Sequence, residues 1–372
     1  MDRTKAWIAL SLLPHIGPRS ILKLLEVFHG PEEILKAKRS DLVRLDILTK
    51  PQIDSLSTGA DLDKVGEVLK TVDKMDACII CLDDPVYPSL LKEITDPPVV
   101  LYVKGDISDI QPAIAIVGTR APSHYGQEIT FSLARDLSMR GVSVVSGLAR
   151  GIDTIAHKGS LEGLGKTVAV LGSGIDVIYP SENKELAKQI QQKGAVISEL
   201  PLGTAPDAKN FPRRNRIISG ISLGVLVIEA TIKSGAMITA RFAGEQGRLC
   251  MATPGAVTNI RSQGPHSLIR QGAILVESAD DVLADILPQL QGFMKGEEKI
   301  NSSSLSGKTE DPVKETLKGQ ELTIEEIAEE TGLTISEISQ RLTSLELGGE
   351  IVRTRGNRFS VRSEIKNHNK KA

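Results

Sequence analysis

The chain has 372 residues, with 45 Lys+Arg against 47 Asp+Glu and a formal net charge of −2. Its 40% hydrophobic and 25% charged residues are those of an ordinary globular protein, which excludes bulk disorder, and the length suits two or three domains. Near-neutral charge gives no global polyanion signature, so any nucleic-acid site must come from local clustering of basic residues.

No apolar run reaches the roughly 18–20 residues of a membrane helix. The longest, Ile217 to Ile228, is closed by Arg216 and Glu229. Met1 to Leu13 carries Arg3 and Lys5 ahead of a short apolar stretch but no small-x-small cleavage site, so it reads as the start of a cytoplasmic protein rather than a signal peptide. Cys78, Cys81 and Cys250 form no disulfide framework. Cys78 and Cys81 make a C-x-x-C inside the apolar run Ala77 to Leu82, where strand alternation sends residues three apart to opposite faces. No second pair completes a metal set, and no metal or cofactor is expected.

Residues 1–75 read as short helices. Ile8, Leu12 and Leu13, then Ile21, Leu22, Leu24 and Leu25, then Ile34, Leu35 and Leu42 recur at helical spacing, broken at Gly17-Pro18 and Gly30-Pro31. The segment Leu13 to Pro18 resembles a helix-hairpin-helix turn, but His15 stands where that motif has its first glycine, which favours a packing or protein-contact module over a phosphate site. Apolar, β-branched runs then begin near Ile114, Val142, Thr167, Ala195, Leu223, Leu249 and Ala273, at intervals of 28, 25, 28, 28, 26 and 24 residues. Amphipathic stretches lie between them: Gly126 to Arg140, Asp153 to Leu164, Glu182 to Lys193 and Met237 to Arg248. This is the period of a βα unit, and strands apolar on both faces imply a mostly parallel, doubly wound sheet covered by helices, an extended Rossmann-like α/β domain assigned to residues 76–288. Residues 289–311 read as a linker. Over 312–363, three helices and two short strands joined by Gly356-Asn357 predict a winged helix, followed by a basic tail at 364–372.

In such sheets ligands sit beyond the carboxyl ends of the strands. Gly118-Thr119-Arg120 follows the first strand and offers close backbone approach, a hydroxyl and a phosphate fork, without the G-x-G-x-x-G spacing of a dinucleotide site. The second strand ends in Ser146 to Asp153, including Gly147 and Arg150, and the third in Gly172 to Asp176. Asp153 and His157 at i, i+4 are either an acid/base pair or a cap with its neighbour, and the capping reading is preferred. The long loop after Glu199 holds Lys209-Asn210-Phe211-Pro212-Arg213-Arg214-Asn215-Arg216. Cations neutralise phosphates and the aromatic face stacks an unpaired base, which suits a single strand. The competing reading has Phe211-Pro212 plugging the core and the arginines solvated or paired with Glu199 and Glu229; composition does not choose between them. Charge favours binding, since residues 113–284 hold 18 Lys/Arg against 14 Asp/Glu. Ser234 to Arg241 forms a fourth anion-friendly turn, with Ser234 placed to cap a helix. No nucleophile in these turns has a paired base, so no catalytic residue is assigned.

Gly118-Thr119-Arg120, Ser146 to Asp153 with Ala156-His157, Gly172 to Asp176 with Tyr179-Pro180, Phe211 to Arg216 with Ile217-Ile218, and Ser234 to Arg241 together resemble, in order and spacing, the DNA-processing protein A (DprA/Smf) family. That resemblance implies an extended Rossmann domain that binds single-stranded DNA without catalysis, forms a homodimer and helps load the RecA recombinase during natural transformation. Carried over by position, Arg120 grips phosphate, while Lys209, Phe211, Arg213, Arg214, Asn215 and Arg216 form the strand groove, with Lys184 after Tyr179-Pro180 as a further candidate. It also implies a sterile-alpha-motif-like N-terminal domain and admits the C-terminal winged helix. Residues 309–350 hold three Lys/Arg against eleven Asp/Glu, unsuited to a recognition helix in a major groove, whereas Arg353, Arg355, Arg358 and Arg362 surround the wing turn. This module is therefore expected to contact a protein, or nucleic acid only through its wing. Rival readings are a phosphoribohydrolase-like enzyme, which needs a committed carboxylate among Asp153, Glu199 and Glu229, and a winged-helix transcription regulator.

Overall fold

The computed structural model describes residues 2–286, 311–347, 350–354 and 358–361. Six helices open the chain: α1 (Arg3–Leu12), α2 (Pro18–Phe28), α3 (Pro31–Lys36), α4 (Arg39–Arg44), α5 (Lys50–Thr58) and α6 (Leu62–Lys74). Pro18 and Pro31 each stand in a first turn, where a missing N–H costs nothing. His15 has φ of 64°, the left-handed conformation a glycine adopts freely, so the turn before α2 forms without one. Buried Trp7, Ile8, Leu10, Ile21 and Leu24 share one apolar cluster with the sheet residues Leu101, Tyr102 and Val103.

The sheet has nine strands: β1 (Cys78–Cys81), β2 (Val100–Gly105), β3 (Ala113–Val117), β4 (Ser143–Ser146), β5 (Thr167–Val170), β6 (Gly194–Ser198), β7 (Gly224–Val227), β8 (Leu249–Ala252) and β9 (Ile274–Leu275), in the spatial order β1-β2-β6-β5-β4-β3-β7-β8-β9. From β3 onward each strand starts within one residue of the position its apolar run predicts. Strands β3 to β7 are buried throughout, as parallel strands sandwiched between helices must be. The sheet extends beyond the predicted parallel part, because β2 pairs antiparallel with both β1 and β6. On β1, Cys78 is exposed and Cys81 buried, as alternation requires.

The helices of this layer are α7 (Ser89–Lys92), α8 (His124–Met139), α9 (Ile152–Leu161), α10 (Lys184–Lys193), α11 (Asn210–Ile221), α12 (Gly235–Glu245) and α13 (Gln263–Arg270). Helix α11 corrects the expected long loop after Glu199. Its Pro212 lies in the first turn, where proline is tolerated, and Ile217, Ile218 and Ile221 are fully buried. Because β3 lies between β4 and β7, chain connections leave it in both directions, and the crevice at its carboxyl end is the topological switch point where ligands bind in such folds.

The last described elements are α14 (Pro312–Thr316), α15 (Ile324–Thr331), α16 (Ile335–Leu347) and the antiparallel pair β10 (Ile351–Thr354) and β11 (Arg358–Val361), a winged helix. Its core is Val313, Leu317, Ile327, Ile338, Leu342 and Phe359. A capping box between Thr323 and Glu326 starts α15, and Gly332 at φ 68° ends it. The linker apart from Asp311, the wing turn with Arg355, Gly356 and Asn357, Arg362 and the basic tail lie outside the described residues. Among the described residues no helix is long and apolar enough to cross a membrane.

Candidate nucleic-acid interface

A cavity of about 560 Å³ opens at the switch point. Its wall contains Gly118, Thr119 and Arg120 after β3, Ala149 after β4, Phe211, Arg214 and Asn215 of α11, and Ser234 and Gly235 at the start of α12. Gly118 is obligatory, since a Cβ there would stand 2.9 Å from the Glu229 carbonyl and 2.6 Å from the Ile152 side chain. The backbone of Thr119 donates to that same Glu229 carbonyl at 2.7 Å, which pins the loop. Its hydroxyl accepts from the Ala121 N–H at 3.3 Å and so closes its own turn. Arg120 is exposed, and its guanidinium lies 5.6 Å from the centre of the Phe211 ring, within cation–π range.

Phe211 is the hub. Tyr179 lies 5.8 Å from it, centre to centre, tilted by 44°, and the Arg214 guanidinium is 6.0 Å away. A Cβ on Gly172 would meet the Phe211 ring at 2.7 Å, so the glycine of the third turn makes room for the aromatic rather than binding phosphate. Tyr179 was not among the candidate site residues; its signal was only its place in the Tyr179-Pro180 step after that turn. Lys209, the residue before α11, and Arg213, one turn on, are exposed, and Arg213 Nε lies 3.4 Å from Glu199.

The remaining cations of the segment are buried, because α11 runs into the core after its first turn and every residue from Arg214 to Ile221 is enclosed. Arg214 is buried; Nη1 donates to the Gly147 carbonyl at 2.7 Å and to the Val170 carbonyl, and Nε donates to Asn215 Oδ1 at 3.1 Å. Burial lowers its pKa to about 10, opposed by the nearby Asp153. Asn215 in turn donates to the Gly235 carbonyl at 3.2 Å, joining α11 to the start of α12. Arg216 is only 3% exposed, with Nη2 2.5 Å from Glu199 and Nε 3.4 Å from Asp96. The structure thus corrects the expectation that Arg214, Asn215 and Arg216 line an open groove: Arg214 and Asn215 form the cavity wall with most of their donors spent, and Arg216 is a core ion pair.

Other candidates also move. Gly147 is buried, its N–H given to Asp153 at 3.1 Å and its carbonyl to Arg214, so it supports the arginine and offers no free amide. Arg150 is exposed but held in a two-bond pair with Glu182 at 2.8 and 3.0 Å. Lys184 is exposed at the start of α10 and does not line the cavity. Asp153 accepts from the Gly147 and Ala149 amides of its own turn, not from the helix start, so it closes the turn rather than capping α9. His157 does not pair with it. The His157 Nδ1 stands 2.7 Å from the Thr167 hydroxyl, which also reaches the Val144 carbonyl at 3.0 Å. Burial pushes the His157 pKa down to about 3. Glu229 accepts from the Ser123 N–H and hydroxyl and from Asn259. Ser234 stands at the predicted cap position but makes no capping hydrogen bond. Among the described residues no group of three or more His, Cys, Asp or Glu is arranged to hold a metal.

The family model described as DNA recombination-mediator protein A matches residues 78–287. The chain belongs to that family. A second model, the DprA winged helix domain, matches residues 302–357. Protein Smf of Escherichia coli is 42% identical over 289 residues, spanning 76% of this chain and 77% of its own length. The X-ray structure of DNA processing protein A from Streptococcus pneumoniae superposes with a TM-score of 0.68 at 35% identity, covering 76% of this chain and 98% of that one. The Helicobacter pylori DNA processing protein A, whose structure is described for its single-stranded DNA binding mode, superposes at 0.52 with 30% identity over 57% of this chain and 96% of its own. The family assignment thus covers the whole sheet that carries Arg120 and Phe211.

Proposed function

We propose that this protein binds single-stranded DNA across the cavity rim, with Arg120, Lys209 and Arg213 on phosphates and Phe211, backed by Tyr179, stacking an unpaired base. The observation that carries the reading is the Arg120–Phe211 pair at 5.6 Å, a solvent-facing cation and an aromatic plane together at a parallel sheet's switch point. The single-strand binding described for the Helicobacter pylori relative supports it. Binding proceeds without catalysis: Asp153, Glu199 and Glu229, the carboxylates a hydrolase would need, are engaged by turn amides, by Arg216 and Arg213, and by Ser123 and Asn259. The protein works in the cytoplasm as a homodimer, protects incoming strands during transformation and helps load a RecA-type recombinase. The residue ranges 1–75, 76–288 and 312–363 act as helical, strand-binding and winged-helix units. The acidic winged helix serves a protein contact, or touches nucleic acid through its wing, where Arg358 already pairs with Glu326 at 3.1 Å. The test is fluorescence anisotropy with matched single- and double-stranded oligonucleotides over a salt series, alongside incubation with nucleoside monophosphates. Preference for the single strand with no base release supports the reading; equal affinity for duplex, or released base, overturns it.

A further inference from the structure

The cavity offers more than a strand lying across its rim requires. At about 560 Å³ it has the size of a small-molecule pocket, for which roughly 300–1,000 Å³ is usual. Its wall runs from exposed Arg120 and Tyr179 to buried Val117, Ile218, Ala236 and Thr239. At the α12 side, unspent donors gather. The N–H groups of Gly235 and Ala236 have no acceptor among the described hydrogen bonds, as expected for the first turn of an eleven-residue helix that lacks a side-chain cap. The Ser234 hydroxyl, also on the cavity wall, is a buried oxygen without a partner among the described residues. A Cβ on Gly235 would meet nothing within 4 Å, so the space beside these donors is open. The carboxylate that shares the cavity, Asp153, is turned onto the Gly147 and Ala149 amides and faces Arg214; burial raises its pKa, opposed by Arg214 and these two amides. Helix dipole, two amides and a hydroxyl then favour an anion, with Arg120 supplying a full charge from the rim.

We infer that this cavity seats a nucleotide bearing a phosphate monoester, with the phosphate on Ser234, Gly235 and Ala236 and the base towards Phe211 and Tyr179. Three donors match the three terminal oxygens of a monoester, whereas a phosphodiester within a strand presents two. A monoester also carries close to twice the charge. The same chemistry comes from two sources, the phosphorylated end of a strand or a free nucleoside monophosphate. The inference deepens the strand-binding reading and rests on it for the role of Phe211.

Full-length protein is titrated by anisotropy with oligonucleotides of one sequence carrying a 5′-phosphate, a 3′-phosphate or neither, and the unphosphorylated complex is challenged with thymidine 5′-monophosphate or thymidine. A phosphorylated end should bind about tenfold tighter, the scale of a charge-assisted hydrogen bond. Ser234→Ala, which removes no existing hydrogen bond, should cut that increment severalfold. A gain from end phosphorylation without competition by the monophosphate identifies a strand end as the occupant; displacement by the monophosphate but not by thymidine identifies a free nucleotide. Indifference to phosphate in both arms overturns the inference while leaving strand binding intact. Loss of all strand binding instead overturns the parent reading, and thermal protection by the monophosphate then decides the cavity's role alone.

Discussion

Phe211 separates the two meanings its sequence context allows, core plug or stacking plane, because the structure gives it some of each. The ring is partly exposed, with Arg120 at 5.6 Å, Tyr179 at 5.8 Å and Gly172 beneath it. Stacking one base is worth about 1–3 kcal/mol, which converts to roughly 5- to 150-fold in Kd. Truncation also removes packing; a fully buried Phe→Ala costs about 3–5 kcal/mol, and a partly exposed ring roughly half of that. Phe211→Ala therefore lowers both affinity and melting temperature. Phe211→Leu separates the two effects, since it keeps most of the apolar contact over Gly172 but has no π-face. The expected result is that Leu restores most of the stability and little of the affinity, measured by thermal melting and by anisotropy on a labelled single strand at fixed salt. If Phe211→Leu melts and binds like the wild type, no base stacks there, and the aromatic belongs to the core.

Two predictions concern the frame behind the interface. Arg216→Met leaves the buried Glu199 without its closest cation, which should cost about 3–5 kcal/mol in chemical denaturation, while the folded protein keeps wild-type strand affinity. A loss of strand affinity without loss of stability would return Arg216 to the groove. For His157, the folded pKa of about 3 lies below the ordinary 6.5, so between these values the unfolded chain binds a proton that the folded chain refuses. Its contribution is complete above the ordinary value and is lost as pH falls, by about 2 kcal/mol near pH 5. His157→Gln should flatten the acid side of the melting-temperature profile relative to wild type, and parallel profiles would contradict the assignment.

The strand register was legible because parallel strands buried on both faces leave continuous apolar runs, and the run beginning at Thr167 starts where β5 does. The hairpin at His15 was legible as a turn, though not as one that a histidine could close in the left-handed region. Residues 209–216 were the hard case. Proline and four cations in eight residues look like a loop, since local composition records charge but not the descent of α11 into the core, which buries every residue from Arg214 to Ile221 and leaves Arg213 exposed before it. Their partners, Val170, Gly147, Glu199 and Asp96, come from other strands and loops, so only tertiary structure reveals them. The same holds for the glycines of the rim. Gly147 and Gly172 looked like phosphate turns, and both prove to be clearances for α11 side chains.

This division of the cations has a measurable consequence. Arg120, Arg150, Lys184, Lys209, Arg213, Arg214 and Arg216 were all candidates for phosphate, and on single strands each neutralised phosphate contributes about −0.7 to the slope of log affinity against log salt. All seven would give a slope of about −5, so that raising salt fourfold would weaken binding nearly 1,000-fold. The structure leaves Arg120 exposed on the cavity wall, and Lys209 and Arg213 exposed next in the chain to the wall residues Ala208 and Pro212, Arg213 within 3.4 Å of Glu199, while Arg214 and Arg216 are buried, Arg150 is held by Glu182 in a two-bond pair and Lys184 lies on another element, at the start of α10. The slope expected per protomer is then about −2, a loss of roughly 20-fold over the same range, and Arg120→Ala should reduce it by about 0.7 without changing sequence preference. A measured slope near −5 per protomer would mean that the buried guanidiniums reach the strand after all, which requires α11 to open and Glu199 to give up its pair. That outcome would refute the rim geometry on which the strand-binding reading depends.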